Sequence, residues 1–231
     1  MHANVFHASR SAVFYTAAML IRPTLRMQSW GFVVGAFLFA LGSAPGVAHL
    51  LGTAGANTSF FVGSWFFTGA AFVQLILSGN ATVSDEQGVG IRAEWLSAII
   101  QFLGTLLFNV STGAALHAHT VKGEMHLVWN PNLEGSLCFL VSSALAVLIL
   151  WRSKSYWEPR SKNWQSVWLN MLGSIAFGVS AVGSFVLGNG NTLDPSLANF
   201  GTFVGALCFL LASAVFLGRA HTSAPAPSSA P

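Results

Sequence analysis

A run of 58 residues without Asp, Glu, Lys or Arg, from Met27 to Ser84, is the feature that most constrains this chain. A membrane-spanning helix needs about 20 apolar residues, so the run is too long for one span and suits two. The rest of the chain is similar, with 53% hydrophobic and 7% charged residues, against about 25% charged residues in soluble proteins. The chain is also too rich in Phe and Trp for disorder. These features predict an all-α integral membrane protein.

The apolar runs predict six transmembrane helices. Residues 52–57 have the composition of a turn and separate the first two spans. Residues 130–132 open the fourth span and place Glu134 in its first turn, where a carboxylate suits the helix dipole. Asp194 and Pro195 precede the sixth span. The predicted spans are residues 30–51, 58–78, 95–116, 133–150, 164–187 and 196–217.

Basic residues predict the orientation of these spans. With the N-terminus inside, nine Lys and Arg residues fall in inner segments, and the outer loops hold only Lys122. Such an excess marks the cytoplasmic side, so we expect a plasma-membrane protein with both termini in the cytoplasm. The inner residues are Arg10, Arg22, Arg26, Arg92, Arg152, Lys154, Arg160, Lys162 and Arg219.

The chain contains an internal similarity with a constant offset. Residues 101–111 align with residues 170–180 at an offset of 69, and the same offset places Gly35 and Phe39 on Gly104 and Phe108. We therefore predict three parallel two-helix repeats over residues 29–79, 92–151 and 163–218. Gly104 and Gly173 share one repeat position and should lie at close helix contacts, because small residues let helices approach in lipid.

Two terminal segments flank the repeats. Residues 1–28 form a predicted inner-face segment, with an interfacial helix over residues 12–21. Residues 219–231 are rich in Ala, Ser and Pro and are predicted to be disordered.

Each repeat has a Gly-x-x-x-Phe pattern on its odd helix, a short outer loop, and a second Gly-x-x-x-Phe on its even helix. Gly104 to Phe108 and Gly205 to Phe209 are examples. This unit resembles the YrhK-like domain family of small two-span bacterial membrane proteins. The resemblance implies two membrane helices per unit and carries no catalytic or binding residues.

A polar stripe follows one face of the third span and recurs in the fifth. One interpretation is a polar path near the repeat axis. The other is helix packing, which the small size of most of these side chains favours. Gln101 and Asn109 fit the packing explanation least, because an amide in the membrane needs a partner. The stripe comprises Ser97, Gln101, Thr105, Asn109, Thr112, Ser166, Asn170 and Ser174.

Histidines collect on the predicted outer side. Imidazole and carboxylate groups can bind zinc or another divalent metal, although the spacing of His117 and His119 does not place them on one helix face. Solvated interfacial histidines are the favoured alternative. The candidate ligands are His49, His117, His119, Glu124 and His126.

The remaining motifs indicate neither an enzyme nor a cofactor. The spans contain no mid-membrane charge, which argues against a proton-coupled pump. The basic and aromatic loop over residues 151–164 favours an anchor to anionic headgroups rather than nucleic-acid binding. The expected partners are the bilayer and either a second copy or another membrane protein. The sequence favours a non-enzymatic scaffold or accessory protein, and leaves open a facilitator for a small neutral solute and a metal-binding membrane protein.

Overall fold

The computed structural model describes residues 22–85, 88–118 and 120–218. Within them, six helices are long and apolar enough to cross a membrane, which confirms the all-α, multi-pass architecture. The predicted interfacial helix and the C-terminal tail lie outside the described residues. The helices are α1 Leu25–Ser43, α2 Val47–Leu77, α3 Ala93–Ala114, α4 Val121–Arg152, α5 Lys162–Gly183 and α6 Pro195–Ala214.

Four of these helices begin at side-chain caps. Thr24 accepts a hydrogen bond from the backbone N–H of Met27 at 3.2 Å, and Asp194 accepts one from Leu197 at 2.9 Å. In the same way, Ser161 caps α5 and Thr120 caps α4. Each cap satisfies one of the N–H groups that a helix start leaves without a partner.

The predicted turn at residues 52–57 is wrong. The break between α1 and α2 lies at Ala44, Pro45 and Gly46, because proline disfavours a helical residue before it and Ala44 is extended, with φ −61° and ψ 133°. Gly46 then turns the chain at φ 84°, which glycine adopts readily. Gly52, at φ 66° and ψ 172°, only kinks α2.

Other boundaries also differ from the prediction. The fourth span begins at Val121 rather than at residues 130–132, and passes through the π-helical stretch Glu124–Trp129. Pro131 is tolerated because it lies in the first turn of the α-helical part, Asn130–Arg152. The fifth span ends at Gly183, four residues before the predicted end.

A β-hairpin that the sequence analysis did not predict connects α2 and α3. Its strands are β1 Thr82–Asp85 and β2 Gly88–Ile91, which pair antiparallel with Thr82 opposite Ile91. The guanidinium of Arg92 donates to the carbonyl of Ser78 at 3.0 Å, and this bond ties the base of the hairpin.

The six helices form a closed ring. Each packs against the next in the chain, and α6 packs against α1. Neighbouring helices alternate in direction, so α1, α3 and α5 all begin at one end. We call this the basic end, because seven of the eight described Lys and Arg residues lie there, and the other the opposite end, which holds Lys122. The basic-end residues are Arg22, Arg26, Arg92, Arg152, Lys154, Arg160 and Lys162.

Paired glycines lie at the crossings within three helix pairs. A methyl group added at any of them would lie 2.9–3.1 Å from the partner glycine's carbonyl oxygen, so the backbones approach as closely as small residues permit. This confirms the prediction that Gly104 and Gly173 lie at close helix contacts. The pairs are Gly35 with Gly63, Gly104 with Gly135, and Gly173 with Gly205.

Candidate functional site

Six phenylalanine rings fill the middle of the helix ring, one from each helix. All six side chains are 2–5% exposed. Each ring stands four positions after the crossing glycine of its own helix, about one helical turn away, so the crossings set the position of the rings along the axis. We call this set the Phe cluster. It comprises Phe39, Phe67, Phe108, Phe139, Phe177 and Phe209.

The Phe cluster is two stacked triangles. The ring centroids from α1, α3 and α5 are 5.8–6.2 Å apart, and those from α2, α4 and α6 are 5.6–6.4 Å apart. Between the triangles, the two rings of each helix hairpin are 5.1–5.5 Å apart. These distances lie in the range of favourable aromatic contacts, so the centre of the ring is a packed apolar plug.

A cavity of about 250 Å³ lies on the axis between the Phe cluster and the basic end. Most of its lining side chains are amides and hydroxyls, and none of the described residues that line it is charged. We call it the basic-end cavity. Its polar residues are Gln28, Ser29, Gln74, Ser97, Gln101, Ser142, Ser143, Asn163, Ser166, Asn170 and Ser213.

Hydrogen bonds between helices hold the wall of the basic-end cavity. The Oε1 of Gln101 accepts from Gln74 Nε2 and from Ser142 Oγ, each at 3.3 Å. The single hydroxyl hydrogen of Ser142 is shared with the carbonyl of Ser97, which lies closer to Ser142 Oγ, at 2.8 Å. Gln101 thus bridges α2, α3 and α4, and its amide faces protein and cavity as the sequence analysis requires.

A second cavity of about 190 Å³ lies beyond the Phe cluster, toward the opposite end. Phe39, Phe108 and Phe177 line it, so the triangle from the odd helices forms its floor. Hydroxyls and amides again supply the polar part of the lining. We call it the opposite-end cavity. Its polar residues are Asn57, Ser111, Thr112, Asn132, Ser180, Ser184, Asn199 and Thr202.

The residues of the predicted polar stripe do not share one environment in the structure. Its members nearest the basic end line the basic-end cavity, Thr112 lines the opposite-end cavity, and Thr105 and Ser174 are fully buried between the two. Ser174 Oγ lies 2.8 Å from Ser143 Oγ, which joins α5 to α4. The members in the basic-end cavity are Ser97, Gln101, Ser166 and Asn170.

Asn109 lies in neither cavity. Its Nδ2 donates to Thr68 Oγ1 at 2.9 Å across the contact of α3 with α2. Its Oδ1 is buried and has no hydrogen-bond partner among the described residues. Asn109 therefore faces protein, as expected, but it is a helix-contact residue. Gly178, at the corresponding position of α5, has no atom within 4 Å of an added methyl group, so the two positions differ in surroundings.

The even helices contribute cavity residues that the sequence analysis missed. Gln74, Ser142 and Ser143 line the basic-end cavity together with Gln28. Gln74 stands alone among apolar neighbours in the sequence, and Ser142 and Ser143 are an adjacent pair, so neither continues the four-residue spacing along which the stripe was recognised. The available signal was a glutamine inside an apolar span, which needs a partner wherever it lies.

The predicted metal site stays a prediction. In the part of the chain that the structure describes, no three His, Cys, Asp or Glu residues are grouped so that they could hold a metal ion, so His117, Glu124 and His126 do not form a site by themselves. His119 and the side chain of His49 lie outside the description.

The chain matches no known family model, no curated protein and no solved structure. The resemblance to the YrhK-like domain family therefore stays a prediction, and the function has to be argued from the geometry of the two cavities and the Phe cluster.

Proposed function

We propose that the protein is a membrane facilitator for a small uncharged polar solute, with the Phe cluster as its closed gate. The observation that carries this proposal is the alignment of two polar cavities on one axis, with apolar rings between them. Hydrophobic constrictions gate channels by excluding water. In this proposal, movement of rings of the Phe cluster connects the two cavities.

The lining argues for the class of solute. Amides supply both donors and acceptors, and hydroxyls do the same, so the cavity walls can replace the hydration of a polyol or a urea-like amide. The described lining residues carry no charge, so a permeating ion would lack compensation for its lost hydration. Glycerol and urea are suitable probes.

We also propose that the helices form three YrhK-like two-helix repeats, with both termini in the cytoplasm. The repeat is supported by Phe39, Phe108 and Phe177, which are spaced by 69 residues and form one triangle of the Phe cluster. The orientation is supported by the excess of Lys and Arg at the basic end, which would then face the cytoplasm.

The test is solute uptake by proteoliposomes, followed by light scattering after an osmotic step. The wild-type protein should take up glycerol or urea faster than protein-free liposomes. Phe108→Ala should raise the rate further, because it removes one ring of the gate. Phe72→Ala is the matched control: Phe72 pairs with Phe102 at 5.9 Å outside the Phe cluster and is 52% exposed, so its loss should leave uptake unchanged.

The two amides of α3 provide a second matched pair. Gln101→Leu puts an apolar side chain into the basic-end cavity and should change the uptake rate. Asn109→Leu changes a helix contact away from both cavities and should not. If both variants take up solute at the wild-type rate, the basic-end cavity is not part of the permeation path.

A non-conducting scaffold is the second candidate, and one observation favours it. The described residues enclose no continuous cavity from end to end, because the Phe cluster occupies the axis. If wild type and Phe108→Ala both match protein-free liposomes for glycerol and urea, the facilitator proposal fails and the scaffold is preferred.

A further inference from the structure

An apolar groove of about 490 Å³ lies on the outside of α5 at the basic end. Three tryptophans form its wall: Trp164 lies 5.3 Å from Trp157 and 6.0 Å from Trp168 between ring centroids. Tyr156 and Leu172 complete its two ends. Trp157 is 77% exposed, which is unusual for the largest apolar side chain, so this surface lacks a partner within the described chain.

The groove faces away from the helix ring. Trp164, Trp168 and Leu172 are spaced by four residues and so lie along one face of α5. At about 100° per residue, Trp168 and Leu172 each point roughly opposite to Asn170, which lines the basic-end cavity. In a membrane-spanning helix, a face that points away from the protein interior is covered by lipid.

Hydrogen bonds fix the loop between α4 and α5, which forms the part of the groove nearest the basic end. The indole N–H of Trp164 donates to the carbonyl of Tyr156 at 3.3 Å, and Gln165 Nε2 donates to the carbonyl of Pro159 at 2.7 Å. The loop is thereby held against the first turns of α5. The groove is formed before any occupant arrives, which lowers the entropy that binding must overcome.

The same loop concentrates positive charge. Arg152, Lys154, Arg160 and Lys162 stand within eleven residues, with Glu158 as the one acidic residue among them. The ion pair found among the described residues joins Arg92 to Glu94, so none of these four basic groups is neutralised within that part of the chain. An apolar groove lined in part by a loop with unpaired cations matches a lipid with an anionic headgroup.

We propose that this groove binds one anionic phospholipid. Its acyl chain lies along Trp157, Trp164 and Trp168, and its phosphate and negative headgroup meet Lys154 and Arg160. A zwitterionic lipid offers the same chain, but its headgroup lacks the net charge that these residues compensate. The proposal is independent of solute transport, because the groove lies on the other side of α5 from the cavity.

The test is native mass spectrometry of the full chain in detergent, with phosphatidylglycerol and phosphatidylcholine added in separate titrations. One phosphatidylglycerol should bind at concentrations where phosphatidylcholine does not. Each basic residue near a lipid headgroup strengthens binding about fivefold, so the double variant Lys154→Gln, Arg160→Gln should bind phosphatidylglycerol about 30-fold more weakly. Trp157→Ala should also weaken binding. Because the Trp157 side chain is exposed, this variant should fold like the wild type.

Two control variants separate this site from general affinity for lipid. Lys122→Gln removes a basic residue at the opposite end, and Trp65→Ala removes a tryptophan that is 56% exposed on α2. Both should bind phosphatidylglycerol like the wild type. Equal binding of the two lipids, or unchanged phosphatidylglycerol binding by the Lys154 and Arg160 double variant, would overturn the proposal.

Discussion

Two glycines of α5 provide a test of the helix crossings in which only the surroundings differ. A methyl group added at Gly173 would lie 3.1 Å from the carbonyl oxygen of Gly205, from Cys208 Cβ and from Phe209 Cδ2. At Gly178, one and a half turns later, it would meet no atom within 4 Å. Gly173→Ala should therefore destabilise the protein relative to Gly178→Ala.

The expected magnitude follows from two opposing terms. Replacing Gly by Ala within a helix gains about 0.8–1 kcal/mol at either position, so this term cancels in the comparison. Overpacking at a tight contact costs about 1–3 kcal/mol, and only Gly173 incurs it, because its neighbours include a backbone carbonyl that cannot move without shifting α6. The two variants should thus differ by about 1–3 kcal/mol in the free energy of unfolding.

Thermal unfolding in detergent is the suitable assay. For a chain of this size, 1 kcal/mol shifts Tm by about 2–4 °C, so the two variants should differ by several degrees. Gly173→Leu should fall lower still, since the larger side chain would push α5 and α6 apart. A Gly173→Ala protein that is as stable as Gly178→Ala would refute the close-crossing argument.

The remaining predictions concern topology, the amides and metal. In intact cells, Ala118→Cys should react with a membrane-impermeant maleimide and Ser155→Cys only after permeabilisation; the reverse pattern would invert the orientation. Gln101→Leu should lower unfolding stability by no more than about 1 kcal/mol, because hydrogen bonds in membranes average about 0.6 kcal/mol, and a loss of folding would make Gln101 structural. Protein purified without a His tag should contain a stoichiometric divalent metal if the predicted histidine site binds one.

The sequence predicts the class and number of helices well, because both depend on local composition. Each span is a run of apolar residues whose length is dictated by the bilayer, and no tertiary contact is needed to recognise it. The error at residues 52–57 has a local cause: several glycines and polar residues there outweighed Pro45, although proline restricts the residue before it more strongly than glycine permits a turn.

The site was predicted only in part, because it is formed by residues on different helices. The spacing of four residues along α3 placed Ser97, Gln101 and Asn109 in one stripe. Eight residues of an α-helix turn the chain by about 80° beyond two full turns, so Asn109 lies in a helix contact with Thr68 outside both cavities while Gln101 lines the basic-end cavity. Which side of the stripe faces the cavity depends on how all six helices close into a ring, with α6 packed against α1. The residues of one span do not determine that arrangement.

The first helix makes the basic-end cavity asymmetric, and this limits how a solute can bind there. Gln101 and Asn170 line the cavity on α3 and α5, whereas Phe32 stands 69 residues before Gln101 on α1 and packs on Phe67 at 5.8 Å. Phe32 also lines the cavity, so at this repeat position α1 presents an aromatic ring where α3 and α5 carry amides, and the amide of α1, Gln28, lies one turn nearer the basic end. A bound solute would turn its hydrogen-bonding groups toward α3 and α5 and its carbon skeleton toward Phe32, because an unpaired polar group against that ring would lose its hydration without compensation.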